Sequence, residues 1–247
     1  MSRYTIVLCF ILYAVGVSGQ QLTDSSFTYT PNPKMYPKSN GPLILIDEAH
    51  FNFHTMNGRY QPFACLLQND GYTIKPGTEK YTSQNLKQVR ILVIANALSD
   101  DTSEWKLPAK QAFDRTETAA INNWVQQGGN LFLIADHMPF AGAASGLAAS
   151  FGFNFINGFA VRKDDKNEIF SRRTHNLFST TITEGRNKRE KIDSVIIFTG
   201  QGFLPPPGAI TVLSLKNDYL IYLPTDASDI GRTTPVIDGS GLSVAAY

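Results

Sequence analysis

The chain has 247 residues, of which 43% are hydrophobic and 17% are charged, and its net charge is +1. This length suits one large α/β domain with a well-filled core, and the composition is ordinary for a soluble globular protein. A nearly neutral chain lacks the basic surface that nucleic-acid binding requires, so we expect no nucleic-acid partner.

The N-terminus has the pattern of a secretory signal peptide. Arg3 is followed by an apolar stretch over residues 5–17 and then by two small residues, Ser18 and Gly19. The stretch is too short to span a bilayer, and the small residues suit cleavage. We therefore predict a signal peptide at residues 1–19 and a secreted or periplasmic protein without membrane contact after cleavage. A short membrane anchor is the alternative.

Composition divides the rest of the chain into three parts. Residues 20–40 are rich in Ser, Thr, Pro and Asn and lack an apolar period, so we predict an extended linker. Residues 41–223 contain the expected α/β domain. Residues 224–247 are rich in Gly, Ser and Thr, and we predict an irregular tail, either disordered or the edge of a truncated longer domain.

Strands and helices alternate in the first part of the domain. Apolar runs predict strands at residues 43–46, 72–75, 90–97 and 131–135, and helical spacing predicts helices at 59–69, 83–89, 114–127 and 142–151. Asp114 and Glu117 have the spacing of a capping box. The alternation is typical of a three-layer α/β sandwich with a mainly parallel, flavodoxin-like sheet. Further strands at 153–161, 193–198, 210–215 and 220–223 are expected to extend that sheet.

Two of the predicted strands end in acidic residues and histidines. Asp47, Glu48 and His50 follow the first strand, and Asp136 and His137 follow the fourth. Carboxyl ends of parallel strands meet at one edge of the sheet, which is where open α/β folds keep their sites. The pattern therefore predicts a functional site at this edge.

Four segments carry a resemblance to a known family. They are residues 46–54, the Gly128-Gly129-Asn130 lead into a strand, the elbow at residues 136–140, and residues 198–203. With these segments, residues 41–215 resemble the class I glutamine amidotransferase-like superfamily and, more closely, an uncharacterised group of secreted proteins with such a domain. The resemblance implies the α/β fold described above.

The chain departs from this superfamily at the catalytic cysteine. A working amidotransferase carries a cysteine nucleophile at a strand-to-helix elbow, followed by a downstream His-Glu pair. Here the elbow offers Asp136 and His137, and Cys65, the single cysteine after loss of the leader, lies on a predicted helix elsewhere. Glutamine hydrolysis by a thiolate is therefore not expected.

Three interpretations of the acidic and histidine residues remain open. In the first, His50, His54 and His137 bind a divalent metal such as zinc, which activates a water molecule for hydrolysis of an ester, amide or glycan linkage. In the second, His137 or His50 is a general base and Ser145 or a water molecule is the nucleophile. In the third, these side chains only cap helices and hold loops.

We therefore carry two hypotheses for the function. The first is a secreted hydrolase-like enzyme, with a polar pocket at the carboxyl edge of the sheet. The second is a non-catalytic amidotransferase-like module that binds a small molecule or glycan, a peptide or a protein partner. The candidate catalytic residues are Glu48, His50, Asp136 and His137. The candidate ligand-binding residues are His54, Asn96, Phe140 and Gln201.

Overall fold

The structure is a computed structural model that describes residues 23–101, 104–164, 168–198 and 200–247. The predicted signal peptide lies outside the described residues. Residues 23–40 contain no helix or strand. Within the described residues, no helix is long and apolar enough to cross a membrane.

The N-terminal half is built around a parallel sheet. Its elements are β1 (Leu43–Asp47), α1 (Gln61–Asn69), β2 (Thr73–Gly77), β3 (Ile91–Ala95), α2 (Arg115–Gln126), β4 (Asn130–Ile134) and α3 (Phe140–Ser150). The four strands are parallel and lie in the order β2-β1-β3-β4. The strand order reverses between β1 and β3, and ligand sites of open α/β sheets lie at such a point. The predicted α/β fold with a mainly parallel sheet is confirmed.

Helices cover both faces of this sheet. Successive side chains of a strand point to opposite faces, and each face of these strands is apolar. Leu92 and Ile94 pack with Ile121 of α2 on one face, where α3 also lies. On the other face, Ile46 packs with Ala64 of α1. These contacts form the predicted three layers.

One predicted helix start is confirmed, and another predicted helix does not form. The capping box at the start of α2 is confirmed, because the Asp114 side chain accepts from the Glu117 backbone N–H and the Glu117 side chain accepts from the Asp114 backbone N–H. The helix predicted at residues 83–89 is wrong. That segment forms a series of turns instead.

The C-terminal half consists mainly of short antiparallel strands. Its elements are β5 (Asn154–Phe155), β6 (Phe159–Arg162), β7 (Glu168–Ser171), α4 (Thr181–Glu184), β8 (Ser194–Ile197), β9 (Phe203–Leu204), β10 (Thr211–Ser214), β11 (Tyr219–Tyr222), β12 (Val236–Asp238) and β13 (Ser243–Ala246). They form sheets of order β10-β13-β9-β5, β12-β11-β6 and β7-β8. The extra strands are confirmed, but they pair with one another rather than lengthening the parallel sheet. Parallel pairing needs a long crossover connection, and connections such as the three residues between β5 and β6 are too short for one.

The irregular tail predicted at residues 224–247 is wrong. A single 3-10 turn at Ala227–Asp229 is followed by β12 and β13. β13 lies between β10 and β9, with Ala246 opposite Thr211 and Ser243 opposite Phe203. These residues therefore complete two sheets of the domain, and the predicted domain boundary at residue 223 is corrected.

Gly129 provides a direct test of how closely α2 packs on the sheet. A Cβ atom there would lie 2.2 Å from the Trp124 indole, whose Nε1 donates to the Val89 carbonyl at 3.1 Å. We expect Gly129→Ala to lower the free energy of unfolding by about 2 kcal/mol, because the indole must shift. Chemical denaturation with near-ultraviolet circular dichroism measures this. Gly200→Ala is the control, since nothing lies within 4 Å of its added Cβ. Equal stability of the two variants would contradict the packing.

Candidate functional site at the carboxyl edge of the sheet

His50 lies at the centre of a buried cluster of ionisable side chains. Its Nδ1 lies 3.0 Å from both carboxylate oxygens of Asp47, and its Nε2 lies 3.0 Å from Oε1 of Glu117. The three residues are at most 3% exposed. Asp47 ends β1 and Glu117 lies in the first turn of α2, so the imidazole ties a central strand to a helix that follows much later in the chain.

The surrounding groups complete the hydrogen bonding of both carboxylates. The Tyr81 hydroxyl donates to Oδ1 of Asp47 at 2.7 Å, and the Asn52 amide donates to Oδ2 at 2.9 Å. The Tyr81 backbone N–H donates to Oε1 of Glu117 at 3.1 Å. The Phe113 ring packs against the imidazole, with 4.3 Å between ring centroids. This cluster is closed on all these sides by protein groups.

The charge of this cluster decides what His50 can do. Burial lowers the pKa of His50, but the hydrogen bond and charge of Asp47 and the charge of Glu117 outweigh it, so the pKa lies above 6.5. Each ring nitrogen lies against a carboxylate oxygen, an arrangement that suits an imidazolium donating one N–H to each carboxylate. A catalytic base or a metal ligand needs a free nitrogen lone pair, so this geometry does not support the predicted roles of His50.

Glu48 faces away from this cluster. Neighbouring side chains at a strand end point to opposite sides, so Glu48 cannot share the side of Asp47. Its Oε1 accepts a hydrogen bond from the backbone N–H of Met56 at 2.7 Å. This contact holds the loop between β1 and α1. The predicted catalytic role of Glu48 stays a prediction, and the structure does not bring this carboxylate into the His50 cluster.

Asn96 directly follows β3 and joins the loop after β1 to the end of β4. It has a left-handed backbone with φ of +48° and is 2% exposed. Its side-chain amide donates to Nδ1 of His54 at 3.2 Å, and its Oδ1 accepts from the Asp136 backbone N–H at 2.8 Å. Left-handed backbone is costly outside glycine, although asparagine tolerates it best. Asn96 therefore positions His54 and Asp136, and both ends of its side-chain amide have internal partners.

His54 is held as a neutral imidazole. Burial and the charge of Arg59 lower its pKa to about 4. Nδ1 accepts the hydrogen bond from Asn96, so the proton of the neutral ring resides on Nε2.

Asp136 is the carboxylate of this edge with the fewest partners. It is half-buried, and its Oδ1 accepts from the His137 backbone N–H at 2.8 Å. No other donor among the described residues bonds this carboxylate. Burial raises its pKa, opposed by the charge and amide of His137. Tyr60 is affected by this carboxylate. Burial and the charge of Asp136 together raise the pKa of the Tyr60 phenol to about 12.

His137 is fixed by one hydrogen bond and by stacking. Its Nδ1 lies 2.6 Å from the Met138 carbonyl oxygen, which can only accept, so Nδ1 carries the proton. The ring stacks on Phe159 of β6, with centroids 4.4 Å apart and planes 22° apart. Among the described residues, Nε2 forms no hydrogen bond.

A continuous series of ring contacts crosses this edge of the sheet, and we call it the aromatic row. In order, its members are Tyr60, His54, Phe53, Phe140, Trp105, His137 and Phe159, with neighbouring centroids 4.4–5.9 Å apart. Phe140 is the buried member of the row. A ligand on the open surface would therefore meet Phe140 only indirectly, through the neighbouring rings. Phe53 and Trp105 are 38% and 42% exposed and form its open surface. The Arg59 guanidinium lies 3.8 Å from the Phe53 ring centroid.

Two other predicted residues have structural partners. Oε1 of Gln201 accepts from the Ile156 backbone N–H, and its Nε2 donates to the Ala135 carbonyl, so Gln201 ties β4 to the C-terminal half. Ser145, considered as a nucleophile, donates to the Gly142 carbonyl of its own helix at 2.7 Å.

The three histidines predicted to bind metal do not assemble a site. In the described part of the chain, no three His, Cys, Asp or Glu side chains are arranged so that they could hold a metal ion. His50 is enclosed by carboxylates, His54 bonds Asn96, and His137 stacks on Phe159. The predicted zinc set is therefore corrected.

Two grooves lie away from the aromatic row. One of about 480 Å³ lies between α2 and α3, lined in part by Gln111, Thr118 and Asn122. Another of about 270 Å³ lies against Leu45 and Gln84. Neither is lined by residues of the aromatic row.

Several residues of this edge were missed in the sequence. Glu117 has a clear sequence signal as a capping residue, which accounts for one of its oxygens but not for the His50 contact. Trp105 lies in a long polar segment whose position over the edge no local pattern indicates. Tyr60 and Phe159 likewise come from elements distant in sequence.

This chain resembles known proteins in its fold but not in its sequence. No protein-family model and no curated protein matches this chain. Among solved structures, the mmIFT52 N-terminal domain is similar with a TM-score of 0.51 and 14% identity, over 80% of this chain and 86% of that one. A ThuA-like protein from Bacteroides uniformis gives 0.49 and 15% identity, over 86% and 79%.

The similarity is one of fold. Both proteins have class I glutamine amidotransferase-like folds, and this chain is distantly similar to them. At 14% identity the likeness to the mmIFT52 domain shows the fold alone and says nothing about activity.

The buried cluster predicts a pH-dependent stability. Because the pKa of His50 in the folded state lies above 6.5, its stabilising charge is fully present below that pH and is lost as the pH rises through the folded-state pKa. We expect His50→Ala to lower the free energy of unfolding by about 3–5 kcal/mol, since two buried carboxylates lose their partner. Urea denaturation between pH 5 and 9 measures both effects. His175→Asn, at an exposed position, is the control; a His50→Ala protein as stable as this control would contradict the cluster.

Proposed function

We propose that this protein is a secreted, non-catalytic binding module that takes a glycan on the aromatic row beside Asp136. The partly exposed rings of Phe53 and Trp105, on either side of the buried Phe140, carry this proposal. The pattern of residues 1–19 supports secretion, as does the resemblance to secreted proteins with such a domain.

The chemistry of the row suits a sugar ring. The C–H groups of a pyranose form an apolar face that packs on an aromatic ring, while its hydroxyls need acceptors at the edge. Asp136 offers a carboxylate with one internal hydrogen bond, and Arg59 offers donors next to Phe53. A few polar groups beside apolar and aromatic surface are what orient a small ligand.

The elbow lacks the features that acyl transfer requires. Hydrolysis through a tetrahedral intermediate needs backbone N–H groups aimed at the developing oxyanion. Here the His137 N–H donates to Asp136, and the Met138 N–H donates to the Gly158 carbonyl at 3.1 Å. Neither is free for a substrate, which favours binding over catalysis.

Hydrolysis is the second candidate, favoured by one observation. The Nδ1 hydrogen bond of His137 leaves Nε2 as an acceptor, and burial raises the pKa of the adjacent Asp136. A free imidazole nitrogen and a carboxyl group with a raised pKa are the groups that general base and acid catalysis use. In this candidate a water molecule is the nucleophile.

The exposed aromatic rings provide the first test of binding. A glycan array identifies a ligand, and isothermal titration calorimetry measures its dissociation constant. We expect Trp105→Ala to weaken binding by roughly fivefold or more, because loss of one stacked ring removes at least about 1 kcal/mol. Phe178→Ala is the matched control, since Phe178 is 41% exposed and makes no ring contact with the row. Equal affinities of the two variants, or no glycan bound at all, would contradict the proposal.

The His137→Ala variant separates binding from hydrolysis. If the protein only binds, wild type incubated with the glycan yields no shortened product by mass spectrometry, and His137→Ala changes the affinity alone. If wild type releases product and His137→Ala abolishes this release, the hydrolase candidate replaces the binding module.

A further inference from the structure

The outer edge of β4 is an unprotected strand. β4 pairs with β3 on one side, and within the described part of the chain no strand or helix runs along its other side. The strand reads Asn130-Leu131-Phe132-Leu133-Ile134, with an unbroken register. It contains no charge, proline or bulge, and these are the usual devices that keep an edge from pairing with another chain.

The opposite edge of the same sheet is protected. There, β2 contains the exposed Lys75 and Pro76. A lysine and a proline are two common protective residues of sheet edges. The two edges therefore differ. The β4 edge is suited to pair with another strand, whereas the β2 edge is suited to face water.

The backbone groups that β4 presents can be assigned from its pairing. The Asn130 N–H donates to the Arg90 carbonyl, and the Ile134 carbonyl accepts from the Asn96 N–H, so the even-numbered residues bond β3. Alternate residues of a strand direct their backbone groups to opposite sides. The N–H and C=O groups of Leu131 and Leu133 therefore point outward.

We propose that this edge is a homodimer interface, in which β4 pairs antiparallel with β4 of a second copy about a two-fold axis at Phe132. In that register Leu131 lies opposite Leu133 of the second copy, and each pair exchanges two backbone hydrogen bonds. The two sheets become one sheet of eight strands, four from each copy. No different partner sequence is needed, because the strand complements itself.

The side chains support a second copy as the occupant. The two Phe132 rings would lie opposite each other on one face, at a non-hydrogen-bonded position where cross-strand aromatic pairs are favourable. Phe132 is 51% exposed although it lies in a central layer of the fold. Each copy carries a net charge of only +1, so association meets little repulsion.

The test is the mass in solution of protein purified from cells that express the full chain. A single strand pair is a small interface, so we expect a weak dimer that sedimentation equilibrium detects between about 5 and 300 µM. Phe132→Lys places two like charges at the axis and should raise the dissociation constant roughly tenfold or more. Phe178→Lys, at a similarly exposed aromatic, should leave it unchanged.

Two further measurements keep the proposal falsifiable. Mixing Phe132→Lys with Phe132→Glu protein should restore dimers, because the charges then attract. Phe132→Cys should form a disulfide-linked dimer under mild oxidation, whereas Phe178→Cys should not, because only paired strands bring the two thiols together. A wild-type monomer over the whole concentration range overturns the proposal, as does a Phe132→Lys dimer as strong as wild type. A monomer that dimerises only after removal of residues 1–22 also overturns it, since that segment would be the occupant.

Discussion

The pairing of the His50 imidazole with both Asp47 and Glu117 is the interaction on which the carboxyl edge depends. It places two carboxylates in the core, where unpaired charges are prohibitively costly, and neutralises part of their charge through two hydrogen bonds. Asp47 ends a central strand, and Glu117 also completes the capping box of α2. One histidine thus fixes the start of a helix and the loop after β1, and this loop carries Phe53 and His54 to the surface.

Internal hydrogen bonds fix the geometry of this edge. Asn96, in a left-handed conformation, bonds both His54 and the backbone of Asp136, so it sets the spacing between the two strand ends. Most candidate acid and base groups are committed to such internal contacts. What remains open is aromatic surface beside a single carboxylate, which is the reason that we favour a glycan-binding module over a hydrolase.

The sequence predicted the layers and the location of the edge, because apolar runs and the capping box are local patterns. It did not predict the role of His50, since its partner Glu117 lies 67 residues away and burial has no local signature. The strands after residue 223 were missed for a similar reason. β13 is short and rich in small residues, and its pairing with Thr211 and Phe203 is what makes it a strand.

The protonation state of His50 is the measurement that tests this account most directly. Nitrogen-15 NMR of the imidazole groups distinguishes a ring protonated on both nitrogens from a neutral tautomer. We expect His50 at pH 7 to be protonated on both, with two protons protected from exchange, while His54 is neutral because its pKa is about 4. A His50 ring that titrates near 6.5 like an exposed imidazole would contradict the account, since it would free a base at the very edge that we assign to binding.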